Sequence, residues 1–183
     1  MKTKTFLLII ILIQILFLVK TKNIFKKIGS NNVSEITLLL IGSGDQFVLK
    51  DGFKPLPDEV YINGTLSNFI GSRPKINLQG ELNIIALKWN TKLTNCKEMF
   101  RNRTNIIEID LSKFDSSLVK EMSYMFLYCS SLKSINLTNF DTSKVTASCS
   151  MFNGCTSLIS LDLSSFNTSK NENIGHFFLV ALH

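Results

Sequence analysis

The residues of this sequence that could do chemistry are four cysteines (Cys96, Cys129, Cys149, Cys155), two histidines (His176, His183) and a spaced series of aspartates. Both histidines lie beyond residue 170, so no Ser/His or Cys/His nucleophile pair can be assembled from the rest of the chain. A structural zinc site would need closely paired ligands, and no C-x-x-C occurs. Gly42-Ser43-Gly44 is a short glycine cluster without a following G-K-[ST], which reads as a hairpin turn and not as a phosphate loop. Cys129 and Cys155 stand 26 residues apart. They could form a disulfide in an oxidising compartment, or pack as small buried thiols. Stacked strands hold equivalent Cβ atoms parallel at about 4.8 Å, a poor disulfide geometry, which favours the thiols. No catalytic, cofactor-binding or metal-binding residue emerges, and the chain reads as a non-enzyme.

The spacing of 26 is not confined to cysteine. Met99-Phe100, Met125-Phe126 and Met151-Phe152 repeat at that interval, as do Phe114, Phe140 and Phe166. Ile109, Ile135 and Leu161 keep step, followed by Leu111, Leu137 and Leu163. Polar positions recur too: Asp110, Asn136, Asp162, and then Asp115, Asp141, Asn167. Many positions at one interval mark an internal repeat over residues 91–170.

What elements would position these residues? Each unit carries an I/L-x-L segment that alternates apolar and polar, as a half-buried strand does. Stacked units would pair these segments as a parallel sheet. Columns through Phe100, Phe126 and Phe152 and through Phe114, Phe140 and Phe166 would then explain why the chain has 14 phenylalanines and one tryptophan, with Phe178 a further candidate. After each strand comes Phe-[Asp/Asn]-[Ser/Thr]-Ser, whose short polar side chains turn the backbone out of the sheet. Turn-capping therefore outranks a calcium or acid/base array for the aspartates. A short helical or 3-10 turn through Met122–Tyr128 would return the chain to the next strand. The expected fold is a leucine-rich-repeat-type solenoid with a parallel β-sheet, preceded by a small β-rich cap over residues 34–90. Strands are expected there at 35–41, 46–49, 59–62 and 83–89.

The segments "IEIDLSKFDSSLVKEMSYMFLYCSSL", "LKSINLTNFDTSKVT" and "SMFNGCTSLISLDLSSFNTSK" resemble the BspA-like leucine-rich repeat family, the bacterial and protist surface-protein repeat. The resemblance covers about 80 of the 183 residues. It implies a surface or secreted repeat array used for adhesion and protein contact, with no catalytic residues to carry over. After Lys170 the pattern lapses, and residues 171–183 read as an aberrant tail. Such a tail could fold back as a lid, leave an end that pairs with another chain, or belong to a truncated longer array.

At the other end, Phe6–Val19 is an apolar run broken only by Gln14 and preceded by Lys2 and Lys4. As a helix it would reach roughly 21 Å, short of the approximately 30 Å hydrocarbon core, which suits a secretory signal peptide over residues 1–22. No small-x-small cleavage site follows, so an uncleaved signal anchor holding the membrane is the rival; residues 23–33 read as a linker. Either route leads to the cell surface or the exterior. The sequons at Asn32, Asn63, Asn102, Asn136 and Asn167 fit that route. The +6 net charge lies entirely in the six lysines of residues 1–30, leaving a neutral body with no basic cluster, so nucleic acid is not an expected partner.

The expected function is binding of a protein or other macromolecule through the outward strand positions Glu108, Asp110, Ser134, Asn136, Ser160 and Asp162. The alternative is a structural spacer, or a fragment of a longer array, with no ligand of its own.

Overall fold

The computed structural model describes residues 33–177. The N-terminal apolar run, Asn32, Phe178 and His183 lie outside the described residues.

Eight strands form: β1 Ser34–Ile41, β2 Gly44–Phe47, β3 Glu59–Ile62, β4 Thr65–Ser67, β5 Lys75–Leu78, β6 Leu82–Trp89, β7 Ile106–Lys113 and β8 Ser134–Asn136. Six of them make one sheet in the order β4-β3-β6-β1-β7-β8, and β2 and β5 pair separately. Of the strands expected before residue 90, that at 59–62 forms with the same ends and the other three with shifted ends. β4 and β5 were not expected: each is only three or four residues long and lies between turn residues, too short for its alternation to stand out.

The expected leucine-rich-repeat-type solenoid is corrected by this arrangement. No helix or 3-10 turn occurs among the described residues, and the main sheet is mixed. β1 pairs antiparallel with both β6 and β7, and only β7–β8 is parallel. The third expected strand, around residues 158–163, does not form. Residues 34–90 and the repeats share this sheet, because β1 lies between β6 and β7.

The returns between units are turns for two physical reasons. Left-handed backbone recurs at Glu98, Tyr124 and Ser150, and again at Asn102, Tyr128 and Gly154, and such φ values interrupt a right-handed helix. The N–H groups that a helix would spend on its own carbonyls are instead given to the next unit. Cys96 donates to Glu121, Glu98 to Ser123 and Phe100 to Met125, and Met122, Tyr124 and Phe126 repeat the pattern on Ala147, Cys149 and Met151.

The 26-residue interval therefore survives as columns. Phe100 stacks on Phe126 at 5.7 Å and Phe126 on Phe152 at 5.2 Å between ring centroids. Phe114 stacks on Phe140 at 6.2 Å and Phe140 on Phe166 at 5.9 Å, while Trp89 meets Phe114 edge-on at 6.2 Å. Isolated parallel bridges link Asn95, Glu121, Ala147 and Asn173 in series. Backbone pairing runs on past Lys170, where the side-chain pattern lapses: Ser148, Ser150 and Phe152 donate to Asn173, Gly175 and Phe177. Backbone pairing does not require the side-chain signature that lapses there. Phe177 meets both Phe152 and Phe166 edge-on and so joins the two columns.

Candidate interaction face

Strand alternation sends Ile36, Leu38 and Leu40 of β1, Ile85, Leu87 and Trp89 of β6, and Ile109 and Leu111 of β7 into the core. Their neighbours build the opposite face of the sheet, and register orders them in rows across the strands. One row runs Glu59–Lys88–Glu35–Lys113 over β3, β6, β1 and β7. The next runs Leu66–Tyr61–Ala86–Thr37–Asp110–Asn136 from β4 to β8. The third is Ile84–Leu39–Glu108–Ser134.

The first row alternates in charge. Glu35 is buried and reaches Lys88 at 3.6 Å and Lys113 at 3.5 Å, while Lys88 also lies 4.7 Å from the Tyr61 ring centre. Tyr61 in turn donates its hydroxyl to Glu59 at 2.9 Å, which raises the phenol's pKa. A buried carboxylate is tolerable only with such partners, so this row also penalises any slip of β1 by one residue.

Four of the expected contact positions meet on this face: Glu108 and Asp110 on β7 and Ser134 and Asn136 on β8. Ser160 and Asp162 are not on a strand and do not extend the sheet. Asp110, Asn136 and Asp162 all use a side-chain oxygen locally, accepting from the backbone N–H of Ser112, Thr138 and Ser164 at 2.9, 3.0 and 2.9 Å. Asn136 further donates to Asp110 at 3.0 Å. Each of these side chains thus folds onto the backbone two residues on, Asp110 half-buried and Asn136 and Asp162 exposed.

Asp115, Asp141 and Asn167 cap in the same way, accepting from Ser117, Ser143 and Ser169 at 3.1, 2.8 and 3.0 Å. Lys92, 2.7 Å from Asp115, and the Ser117 hydroxyl hold the Asp115 carboxyl below its ordinary value. The Ser143 N–H does the same for Asp141. The sequon residues Asn63, Asn102, Asn136 and Asn167 are exposed. Asn63 is nonetheless engaged, its Oδ1 accepting from Ile84 at 2.9 Å and its Nδ2 donating to Asn83 at 3.2 Å.

What sequence reasoning missed on this face is the contribution of residues before position 90. Leu39, Tyr61, Ile84 and Lys88 look like members of a separate cap until β1 is seen to insert beside β7. The period-two alternation of each strand was visible; the neighbour was not.

All four cysteines are free thiols. Cys129 and Cys155 each donate an S–H to a carbonyl of the preceding unit, Phe100 at 3.1 Å and Phe126 at 3.2 Å. Burial raises the thiols of Cys96 and Cys129, and pushes Cys155 up to about 12. Among the described residues there is no group of three metal-ligating side chains and no helix long and apolar enough to cross a membrane.

A family profile described as "Mycoplasma protein of unknown function, DUF285" matches residues 75–183, more than half of the chain. No curated protein and no solved structure matches it.

Proposed function

Because the chain belongs to the DUF285 family, whose function is open, we propose its role from the geometry: a non-catalytic surface protein that binds a macromolecular partner through the outer face of the six-stranded sheet. The observation that carries this reading is the row Ile84–Leu39–Glu108–Ser134, which sets two half-buried apolar side chains beside an exposed carboxylate. Leu39 and Ile84 stand outside the core, and Leu66, 62% exposed, ends the neighbouring row. A mixed apolar and acidic face suits a neutral or basic protein partner. The BspA-like resemblance of the repeats points the same way, and the apolar run of residues 6–19 supports delivery to the cell surface or exterior, with or without retention in the membrane. The deep burial of three thiols supports a role without catalysis, since a buried high-pKa thiol is a poor nucleophile.

A second reading is favoured by the caps. If Asp110 and Asn136 serve only to end their strands, the chain is a spacer with no ligand of its own. One experiment separates the two. A photocrosslinking side chain is placed at position 108 of the full chain on intact cells, with position 170 as a control. A discrete adduct from 108 and not from 170 supports the binding face. Identical adducts from both positions, or none from either, would leave the spacer.

A further inference from the structure

The chain contains three arginines, Arg73, Arg101 and Arg103, and the fold gathers all of them at one corner. The hub is Phe47, half-buried at the end of β2. The Arg73 guanidinium carbon lies 4.9 Å from its ring centre, that of Arg103 at 5.5 Å, and the Lys75 ammonium at 6.0 Å. Arg101 is two residues from Arg103, whose Nε donates to the Arg101 carbonyl at 3.3 Å. Lys50 completes the group by pairing with Glu98, which also holds Arg101.

Three carboxylates answer these five cations. Asp51 takes Arg73 through both Nε and Nη2, Asp45 takes Lys75 at 3.1 Å, and Glu98 is shared by Lys50 and Arg101. Arg103 has no carboxylate within ion-pair distance among the described residues, and the Nε of Arg101 is buried without a hydrogen-bond partner. A clamp that merely fastened β2 and β5 to the first repeat unit would need only balanced pairs. Here two positive charges are in excess, and Arg103 is half-buried without a carboxylate, an arrangement that an anion would complete. The charge balance of residues 31–183 hid this, because positions 47, 73 and 103 are distant in sequence.

We propose that this corner is a binding site for a phosphate-type oxyanion, with Arg103 as its donor and Arg73 and Lys75 as supporting charge. Arginine suits the task because its planar fork meets two oxygens at once while its face rests on an aromatic ring. The site is separate from the sheet face and does not depend on the role assigned to that face. The oxyanion can be carried by a small soluble molecule or by a lipid headgroup; both present the same oxygens.

The test titrates inorganic phosphate into the full chain by calorimetry, at two salt concentrations. Saturable binding that weakens with salt is expected. Arg103→Gln should weaken it at least about tenfold, Arg73→Gln less, and Arg103→Lys should fall between wild type and Arg103→Gln because it keeps charge without the fork. Near-ultraviolet circular dichroism of Trp89 confirms that each variant is folded. Vesicles distinguish the carriers. If wild type prefers phosphatidylglycerol over phosphatidylcholine and Arg103→Gln does not, the anion is a headgroup; if both proteins treat the vesicles alike while phosphate still discriminates them, it is soluble. Absence of saturable phosphate binding, or a folded Arg103→Gln that binds phosphate as wild type does, would overturn the assignment.

Discussion

The Ser34 hydroxyl of β1 accepts a hydrogen bond from the backbone N–H of Asp115 at 3.0 Å. Ser116 accepts the same bond from Asp141 at 2.8 Å, and Thr142 accepts it from Asn167 at 2.7 Å. Ser34 thus supplies to the first complete repeat unit what each unit supplies to the next, although its strand runs antiparallel to β7 and lies far outside the period. β1 is the surrogate for a preceding unit.

Ser34→Ala should therefore destabilise the protein about as much as Ser116→Ala does, roughly 1–3 kcal/mol each, because each leaves a backbone donor without its partner. Denaturant unfolding followed by the fluorescence of buried Trp89 measures both. A neutral Ser34→Ala beside a costly Ser116→Ala would refute the surrogate role.

The phenylalanine columns set a gradient. Phe126, fully buried and stacked on both sides, should cost about 3–5 kcal/mol when truncated to alanine. Phe166 is half-buried, so Phe166→Ala should cost clearly less. Equal midpoint shifts in urea would contradict a column anchored at its centre.

Gly154 has a φ of +75°, and a Cβ built on it would lie 2.3 Å from Cδ1 of Tyr128. Gly154→Ala should lower the melting temperature through both strain and clash. Tyr128→Ala in the same chain removes only the clash, so the double variant should recover part of the loss and not all of it. Full recovery would mean that the backbone conformation carries no penalty.

Acid should loosen the repeat. The folded pKa values of Asp115 and Asp141 are depressed, the first by Lys92 and the Ser117 hydroxyl, the second by the Ser143 N–H. Their contribution is present above the ordinary value of 3.8 and is lost as pH falls through the lower folded value. Urea midpoints should drop below about pH 4, and Asp115→Asn with Asp141→Asn should flatten that drop. An unchanged slope in the double variant would assign the acid sensitivity elsewhere.

Thiol labelling at pH 8 should distinguish Cys149, which is half-buried, from Cys96, Cys129 and Cys155, which are buried. One fast thiol and three that react only on unfolding are expected. Because Cys155 is raised to about 12 in the folded state from an ordinary 9.0, its contribution to stability is intact below 9 and falls away as pH rises above it. Rapid labelling of Cys129 in native protein would contradict the S–H bond to Phe100.

The sequence by itself determined the 26-residue interval, the two phenylalanine columns and the places where Asp and Asn cap the strand exits, because these depend on like residues meeting like residues at a constant spacing. The tertiary structure alone decided which strands are neighbours. β1 enters between β6 and β7 through the register of Glu35 with Lys88 and Lys113, a long-range pairing with no periodic trace in the chain. That insertion replaced an expected parallel solenoid with a mixed sheet and placed Leu39 and Ile84 beside Glu108. It is also long-range closure that collects Arg73, Lys75 and Arg103 around Phe47. Alternation along a strand reports which face a side chain takes; only the closed fold determines what stands next to it.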